Sequence, residues 1–340
     1  MLKVPKILVV GSFMMDLIAT TERAPKAGET VKGLRFQSAP GGKGANQAVQ
    51  CARLGADVTM VGSVGDDAFG RIMLRTVKDS GADVSHVVMD PTEASGVGHI
   101  TVEVTGNSAQ NRITICPGAN MNLKEEQIRW LKSEIGRFDA VLLQFEIPME
   151  INETVAYWAK QAGTMVMVNP APAAPISDAL ISNATFFSPN ELELETLSGC
   201  GLGLQDGIDM GKIKRAADVL FEKGLSRLLI TLGDKGSVLL EGGDIWATDC
   251  VKMPIVKDPT AAGDSFVAAF CTGLTAGLPR RQALKFASHA AAITVSRMGA
   301  MPSLPSIEEV IALIRERQGS VDTDALNILS GRRDRKTDEN

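Results

Sequence analysis

Short apolar runs alternate with longer stretches of helical periodicity along most of this 340-residue chain. Ile7-Leu8-Val9-Val10 is apolar at every position, the pattern of a strand buried on both faces. Gly44 to Leu54 reads as a helix that ends before Gly55, and Val58 to Val61 reads as the next strand. Phe69 to Lys78 predicts another helix, ending near Gly81. Ala140–Gln144, Thr164–Val168, Ala184–Phe187 and Arg227–Thr231 predict further strands, with helices between several of them. Ile307 to Arg315 predicts a last helix, with Val310, Ile311 and Ile314 on one face. This βα rhythm predicts an α/β fold of three layers, α/β/α, around a mostly parallel central sheet.

Two regions break the rhythm. His99 to Val104 alternates polar with apolar, Gly106-Asn107 supplies a turn, and Arg112 to Cys116 supplies a return strand. Such alternation predicts strands with one wet face. A polar, glycine-containing stretch runs from about Thr20 to Pro40. Together these segments, about 12–40 and 95–118, predict a small β-sheet lid within a domain spanning 1–318. Two surface hairpins with no part in chemistry are the alternative. After Gly319 the chain turns polar, and 319–340 is expected to be a disordered tail.

Composition narrows the function classes. With 44% hydrophobic and 22% charged residues there is ample material for a large core. The 35 basic against 40 acidic residues leave no nucleic-acid footprint. Cys51, Cys116, Cys200, Cys250 and Cys271 are scattered without metal-like pairing and read as free, buried thiols of a reducing compartment. Asp16 ends the first apolar stretch too early for a signal peptide, and no segment is long enough to span a bilayer. The expectation is a cytoplasmic protein with neither nucleic-acid nor membrane partners.

The richest chemistry lies in Asp258-Pro259-Thr260-Ala261-Ala262-Gly263-Asp264, followed by an apolar helical pattern from Ser265. Backbone N–H groups of Ala261, Ala262 and Gly263 would face whatever sits over the helix start, and a phosphate suits that position. Asp264 beside them could take a proton from an attacking hydroxyl. Asp is also an ordinary first-turn residue, and Gly an ordinary turn residue.

Gly41-Gly42-Lys43-Gly44-Ala45-Asn46-Gln47 is the second motif. Its Lys precedes the last Gly and no Ser or Thr follows, so it is not a Walker P-loop. Glycine pairs that let backbone approach a ligand, with Lys43 and Asn46 beside them, suit a polyol. Asp16 follows the first strand after a short loop, where open α/β sheets bind ligands, and a carboxylate there can grip two sugar hydroxyls. Met14 and Met15 read first as core filling. Glu146 and Asn169 end two further apolar runs. Asn190 and Glu193 share one helical face, which suits placement of a phosphate-bound cation, with a capping box as the alternative. Thr231, Gly233 and Gly236 close a strand with a glycine-rich turn over which a nucleotide could lie. His86, His99 and His289 show no zinc pairing; His289, next to Ser288, reads as a structural or nucleotide-edge residue.

The two motifs, 41–46 and 261–264, in this order and more than two hundred residues apart, resemble the paired signatures of the ribokinase-like, or PfkB-type, carbohydrate kinases. The similarity runs from about Lys6 to Leu313. It implies transfer of the γ-phosphoryl group of ATP to the 5-hydroxyl of D-ribose, with Asp264 as base and Ala261, Ala262 and Gly263 as anion hole. It implies sugar binding by Asp16, Gly42, Lys43, Asn46 and Glu146, with Met14 alongside. Asn190, Thr231, Gly233, Gly236, Gly263 and Ser288 match nucleotide positions, and Glu193 matches a position that places Mg²⁺, through water. The resemblance also implies a K⁺ site, with Asp258 as carboxylate ligand, backbone carbonyls of Thr260, Thr294, Arg297 and Gly299, and Ser303. Pairing into a homodimer through the lid sheets is implied too.

One position departs from the best-known pattern. Met14 stands where many bacterial members carry Asn beside the sugar-binding acid. Met donates no good hydrogen bond, which keeps 2-deoxyribose open beside ribose. Another pentose or nucleoside as acceptor, and a catalytically silent sugar-binding regulator, are the remaining alternatives.

Overall fold

The computed structural model describes residues 2–105, 108–203 and 209–330. Strands of the larger sheet are β1 (Lys6–Val10), β4 (Asp57–Gly65), β5 (Asp83–Asp90), β8 (Ala140–Gln144), β9 (Met165–Asn169), β10 (Phe186–Phe187), β11 (Arg227–Thr231), β12 (Ser237–Glu241) and β13 (Asp244–Thr248). The smaller sheet holds β2 (Met14–Thr21), β3 (Arg35–Gly41), β6 (Val97–Thr105) and β7 (Ser108–Cys116).

β1 reads as an unbroken apolar run because both of its faces are covered. Ile7 and Val9 enter one core, and Leu8 and Val10 enter the other, as the two-residue period of a strand requires. The order is β13-β12-β11-β10-β9-β8-β1-β4-β5, parallel from β11 to β5 and antiparallel at the β12 and β13 edge. That edge pair was illegible as strands: β13 is partly exposed and alternates too weakly to announce itself.

Helices fill both layers. The first core takes residues from α1 (Lys43–Arg53), α2 (Ala68–Asp79), α9 (Ala262–Ala276), α10 (Arg280–Val295), α11 (Ile307–Glu316) and α12 (Thr323–Ser330). The second takes them from α3 (Glu125–Ile128), α4 (Leu131–Glu134), α5 (Met149–Gln161), α6 (Asp178–Asn183), α7 (Glu191–Ser198) and α8 (Met210–Glu222). The three-layer α/β/α expectation holds.

The smaller sheet runs β3-β2-β6-β7, with β2 and β6 parallel and the other pairs antiparallel. Alternate residues Met14, Asp16, Ile18 and Thr20 of β2 face a cleft, as do Gly98, Ile100 and Val102 of β6. The Gly106-Asn107 turn expected between β6 and β7 lies outside the described residues.

Three expectations are corrected. Asp16 lies inside lid strand β2, not at the end of a central strand, because the chain continues extended through Leu17 and Ile18. The segment from 319 is not wholly a disordered tail: Val321, Leu326 and Leu329 bury themselves and α12 packs on α11, so a few apolar positions outweigh the polar average. Gly55 lies so close under Leu329 that a Cβ there would come within 2.2 Å of its carbonyl oxygen. Residues 331–340 lie outside the described residues. Finally, all five thiols are free, but only Cys51 and Cys271 are buried, and burial pushes the Cys51 thiol up to about 12. Among the described residues no helix is long and apolar enough to cross a membrane.

Candidate active site

The lid hangs over the carboxyl ends of the central strands and encloses with them a cleft of about 920 Å³. Met14, Asp16, Gly42, Lys43, Asn46 and Glu146 all line it, and Asp258, Thr260, Ala261, Asp264 and Gly299 line the other wall. A second hollow of about 540 Å³, at the opposite ends of β9 to β11, is lined by Lys160, Arg227 and Arg280. Both of its guanidinium groups are held by Glu241, and none of the sequence motifs reaches it.

The start of α1 explains the first motif differently from the expectation. Gly42 is the N-cap at φ 93°, a left-handed conformation that favours glycine. Gly44 has no room for a side chain, because a Cβ would lie 2.4 Å from the Ser12 nitrogen. The absence of a side chain at Gly42 and Gly44 admits the loop after β1, and Gly42 lines the cleft as well. Glu146 then caps the helix: its Oε2 accepts the Lys43 N–H at 2.9 Å and the Ser12 hydroxyl.

At the start of α9, Ala261 is the N-cap at φ 60°, an uncommon conformation for a residue with a Cβ. One of the three amides expected in the anion hole is partly engaged, since Ala262 N–H donates to the Pro259 carbonyl at 3.1 Å. Asp264 is buried in the first turn. Its Oδ2 accepts the Asn46 side-chain amide at 2.9 Å, and its Oδ1 accepts that of Gln47 at 3.2 Å. Burial by itself would lower the pKa of the Lys43 ammonium, but Asp264, Glu146 and Glu193 outweigh it and hold the value above the ordinary one. A permanent positive charge therefore stands beside the carboxylates.

Asp16 faces Ala39 on β3 and Gly98 on β6. Its carboxylate lies between Gly41 and Gly98, where added Cβ atoms would come within 2.7 and 2.6 Å of its two oxygens. Burial first, then the charges of Glu146, Asp258 and Asp264, push Asp16 up to about 6. An acid crowded in this way gains from hydroxyl donors that complete its solvation.

Asn190 and Glu193 form the capping box of α7: Asn190 Oδ1 accepts the Glu193 N–H, and Glu193 Oε2 accepts the Asn190 N–H, both at 2.8 Å. Only one Glu193 oxygen is spent this way. Burial raises its pKa and its charge is felt by Lys43, although neither Asn190 nor Glu193 lines the cleft. Asn190 bridges to Thr231, at the end of β11. Gly233 and Gly236 follow at φ 57° and 95°. Ser288 is buried in α10 and does not line the cleft.

Asp258 ties two loops together. Its Oδ1 accepts Thr260 N–H and its Oδ2 accepts Gly299 N–H, each at 2.9 Å. Thr294 turns its hydroxyl inward to Ser265 and the Ala290 carbonyl. Ser303 donates its hydroxyl to the Ala300 carbonyl. Among the described residues no cluster of three or more His, Cys, Asp or Glu side chains could hold a metal ion. Both Asp258 oxygens accept backbone N–H groups, whereas Glu193 keeps one oxygen outside its capping box.

Four supporting residues escaped sequence reading. Ser12 bridges α1 to Glu146. Buried Asn120 holds Phe13 N–H at 2.8 Å and its carbonyl at 2.7 Å, and its amide touches Met14 Sδ at 3.8 Å. Gln47 and Gln144 form a buried amide pair at 2.7 Å. The available signal was three polar residues, Asn46, Gln47 and Gln50, on a helix packed against the core.

A doubly covered parallel sheet, a lid, and a buried acid at a helix start beneath it define an ATP-dependent kinase acting on a sugar hydroxyl. The family model for pfkB family carbohydrate kinases matches residues 4–307, and the chain belongs to that family. It is 36% identical over 313 residues to the ribokinase of Haemophilus influenzae, covering 90% of this chain and 97% of that protein. It is 34% identical over 304 residues to the deoxyribokinase of Salmonella typhi, covering 89% and 96%. Among solved structures, Arabidopsis thaliana ribokinase complexed with ribose and ATP superposes with a TM-score of 0.83 at 33% identity, covering 92% of this chain and 99% of that one.

Proposed function

We propose that the protein transfers the γ-phosphoryl group of ATP to the 5-hydroxyl of D-ribose, giving D-ribose 5-phosphate and ADP. The observation that carries this is the placement of Asp264, buried at the start of α9 and bonded to Asn46, across one cleft from Asp16. Asp16 and Asn46 hold sugar hydroxyls, with Gly42, Lys43 and Glu146 shaping the same wall. The 5-hydroxyl oxygen attacks the γ-phosphorus, the bond to the β–γ bridging oxygen breaks, and the hydroxyl proton passes to Asp264. Negative charge gathering on the phosphoryl oxygens meets the amides at 261–263, the amino-terminal end of the α9 dipole, and the Lys43 ammonium.

ATP occupies the adjoining strand ends, over Asn190, Thr231, Gly233 and Gly236, with Ser288 behind its base. Mg²⁺ would neutralise phosphate charge when bound with the nucleotide, and Glu193 would hold it through water. Asp258, with carbonyls of Thr260, Thr294, Arg297 and Gly299 and with Ser303, would hold K⁺ and fix the loop that aims the anion hole. The cytoplasm, which supplies ATP, is the compartment this reading assigns to the activity. On the lid, Phe36 is 67% exposed and lies outside the cleft lining, where a second copy pairing through the lids would cover it.

Relatives named as ribokinases and the family match support ribose first. A second reading, 2-deoxyribose, has two observations behind it: Met14 in the cleft and a relative named deoxyribokinase. The deciding experiment is a panel of pentoses, deoxypentoses, hexoses and nucleosides with purified protein, ATP, Mg²⁺ and K⁺. D-Ribose is expected to give the highest kcat/KM, with product phosphorylated at carbon 5. A nucleoside or hexose in first place would overturn the assignment.

A further inference from the structure

Gln47 touches Asp264 without lining the cleft. Its orientation is fixed from behind: Gln144 Nε2 donates to Gln47 Oε1 at 2.7 Å. The Gln47 amide therefore points its N–H groups at two oxygens, Asp264 Oδ1 and Asn169 Oδ1, each 3.2 Å away. Asn169 is locked in turn, because its own amide donates to the Ser188 carbonyl at 2.9 Å. A flipped Gln47 would set its carbonyl oxygen against both acceptors. The chain of amides runs from β8 and β9 through α1 and ends on one carboxylate oxygen.

We propose that Gln47 is a positioning residue for phosphoryl transfer, its amide fixing the plane of the Asp264 carboxylate so that a free lone pair faces the acceptor hydroxyl. This rests on the reading of Asp264 as proton acceptor. Asn46 holds Oδ2 from the cleft side and Gln47 holds Oδ1 from the core side, so the carboxylate is gripped at both oxygens and cannot rotate. Each oxygen has about two acceptor sites, which leaves one on each for substrate. Without Gln47 the carboxylate swings about its Cβ–Cγ bond, and a misplacement of about 1 Å costs about a hundredfold in rate at worst. The ionisable groups whose charge Asp264 shares are Asp16 on β2, Lys43 on α1 and Glu193 on α7. None of them is hydrogen-bonded to the Gln47 amide, whose partners are Asp264, Asn169 and Gln144, so among charged groups its removal acts on Asp264.

The test compares Gln47→Met, which keeps the reach and loses the donor, with Gln47→Glu, which puts a second carboxylate against Asp264 Oδ1. Steady-state kinetics with ribose and ATP are run across pH, beside thermal melts. For Gln47→Met, kcat is expected to fall about tenfold or more, from the loss of a hydrogen bond to a charged group, with both KM values unchanged. For Gln47→Glu the acid limb of the kcat profile is expected to move to higher pH, because like charges oppose ionisation. Gln50→Met removes an equally buried amide of the same helix, bonded instead to the Pro305 carbonyl and Ser265, and is expected to keep the wild-type acid limb. Wild-type kcat in Gln47→Met, an unmoved limb in Gln47→Glu, or the same change in Gln50→Met would overturn the proposal, as would failure of both Gln47 variants to fold. Asp264→Asn is measured in parallel. Its turning over normally would remove the base itself, whereas its inactivity beside a normal Gln47→Met would remove only the role of Gln47.

Discussion

Asn46 and Asp264, 218 positions apart, share a hydrogen bond of 2.9 Å from the Asn46 amide to Asp264 Oδ2. The bond joins the first turns of α1 and α9, so the two glycine-containing motifs are one site. It also assigns the rest of Asn46. With its nitrogen committed to Asp264, its buried Oδ1 has no partner among the described residues, and under the proposed function it would accept a sugar hydroxyl.

Replacing the acid at this junction separates binding from turnover. Asp264→Asn is expected to lower kcat by about 10²–10⁴-fold, the usual worth of a general base. Ribose binding persists, since Asp16, Asn46 and Lys43 remain in the cleft. Steady-state rates beside a calorimetric ribose titration check this, and near-normal turnover would remove Asp264 as the base.

How much of this was legible beforehand depends on the kind of interaction. β1, β8 and β11 announce themselves because burial on both faces demands apolar residues throughout. The edge strand β13 and the helix α12 did not, since each spends only part of its surface on the core. The cleft acids could be listed from their places at strand and helix ends. Their supports could not: Gln47, Gln144 and Asn120 act through contacts between segments about a hundred positions apart, which no local pattern encodes. The glycines of the first motif were visible, but their packing against the loop after β1 was not. Close packing of Gly44 on the Ser12 backbone exists only once α1 is docked.

Ala261 invites a stability test. At φ 60° it occupies a region that costs a residue with a Cβ about 1–2 kcal/mol, and glycine avoids that cost. The gain is offset in part by the greater freedom of glycine in the unfolded chain, about 0.4–1 kcal/mol. Ala261→Gly is therefore expected to stabilise the protein by about 0.5–1 kcal/mol, seen as a higher melting temperature. An unchanged or lower melting temperature would mean that the loop carries no strain at this position.

Potassium is expected to activate turnover, with sodium a poorer substitute. The basis is Asp258, which clasps Thr260 and Gly299 on two loops and so transmits any cation bound there to the anion hole. Rates in buffer free of alkali cations are compared with rates in added KCl at constant ionic strength. Asp258→Asn should abolish the difference. Equal wild-type rates in both buffers would sink the cation site.

Asp16 predicts opposite pH trends for sugar binding and for stability. Its carboxyl is raised to about 6 by burial and by Glu146, Asp258 and Asp264. Protonation removes acceptors for sugar hydroxyls, so ribose affinity should fall as pH drops through about 6. For the unliganded fold the sign reverses. A folded pKa above the ordinary value of 3.8 means that protonation favours the fold; this contribution is complete below 3.8 and lost as pH rises through about 6. Ribose titrations from acid to neutral pH, with Asp16→Asn as the variant expected to be weak and pH-independent, test the first trend. Gly98→Ala, whose Cβ would lie 2.6 Å from Asp16 Oδ1, should weaken ribose binding without touching the sugar. A flat wild-type profile would take Asp16 out of hydroxyl recognition.

Sugar choice turns on Met14. Its side chain is buried, lines the cleft two residues before Asp16, and rests against the Asn120 amide. A thioether fills space there but offers no donor to a 2-hydroxyl. Recognition of that hydroxyl then falls to Asp16 and Asn46, whose acceptors would be left unpaired by 2-deoxyribose at a cost of about 1–3 kcal/mol. Ribose is accordingly expected to exceed 2-deoxyribose by at least about fivefold in kcat/KM, the lower end of that range. Met14→Asn should widen the ratio, provided Asn120 keeps its hold on the Phe13 backbone and the new amide turns toward the sugar. The measurement is kcat/KM for both sugars on wild type and Met14→Asn, with melting temperatures to show that the Asn120 contacts survive. A wild-type ratio at or below one would move the acceptor to 2-deoxyribose, leaving the fold, the base and the direction of phosphoryl transfer as they stand.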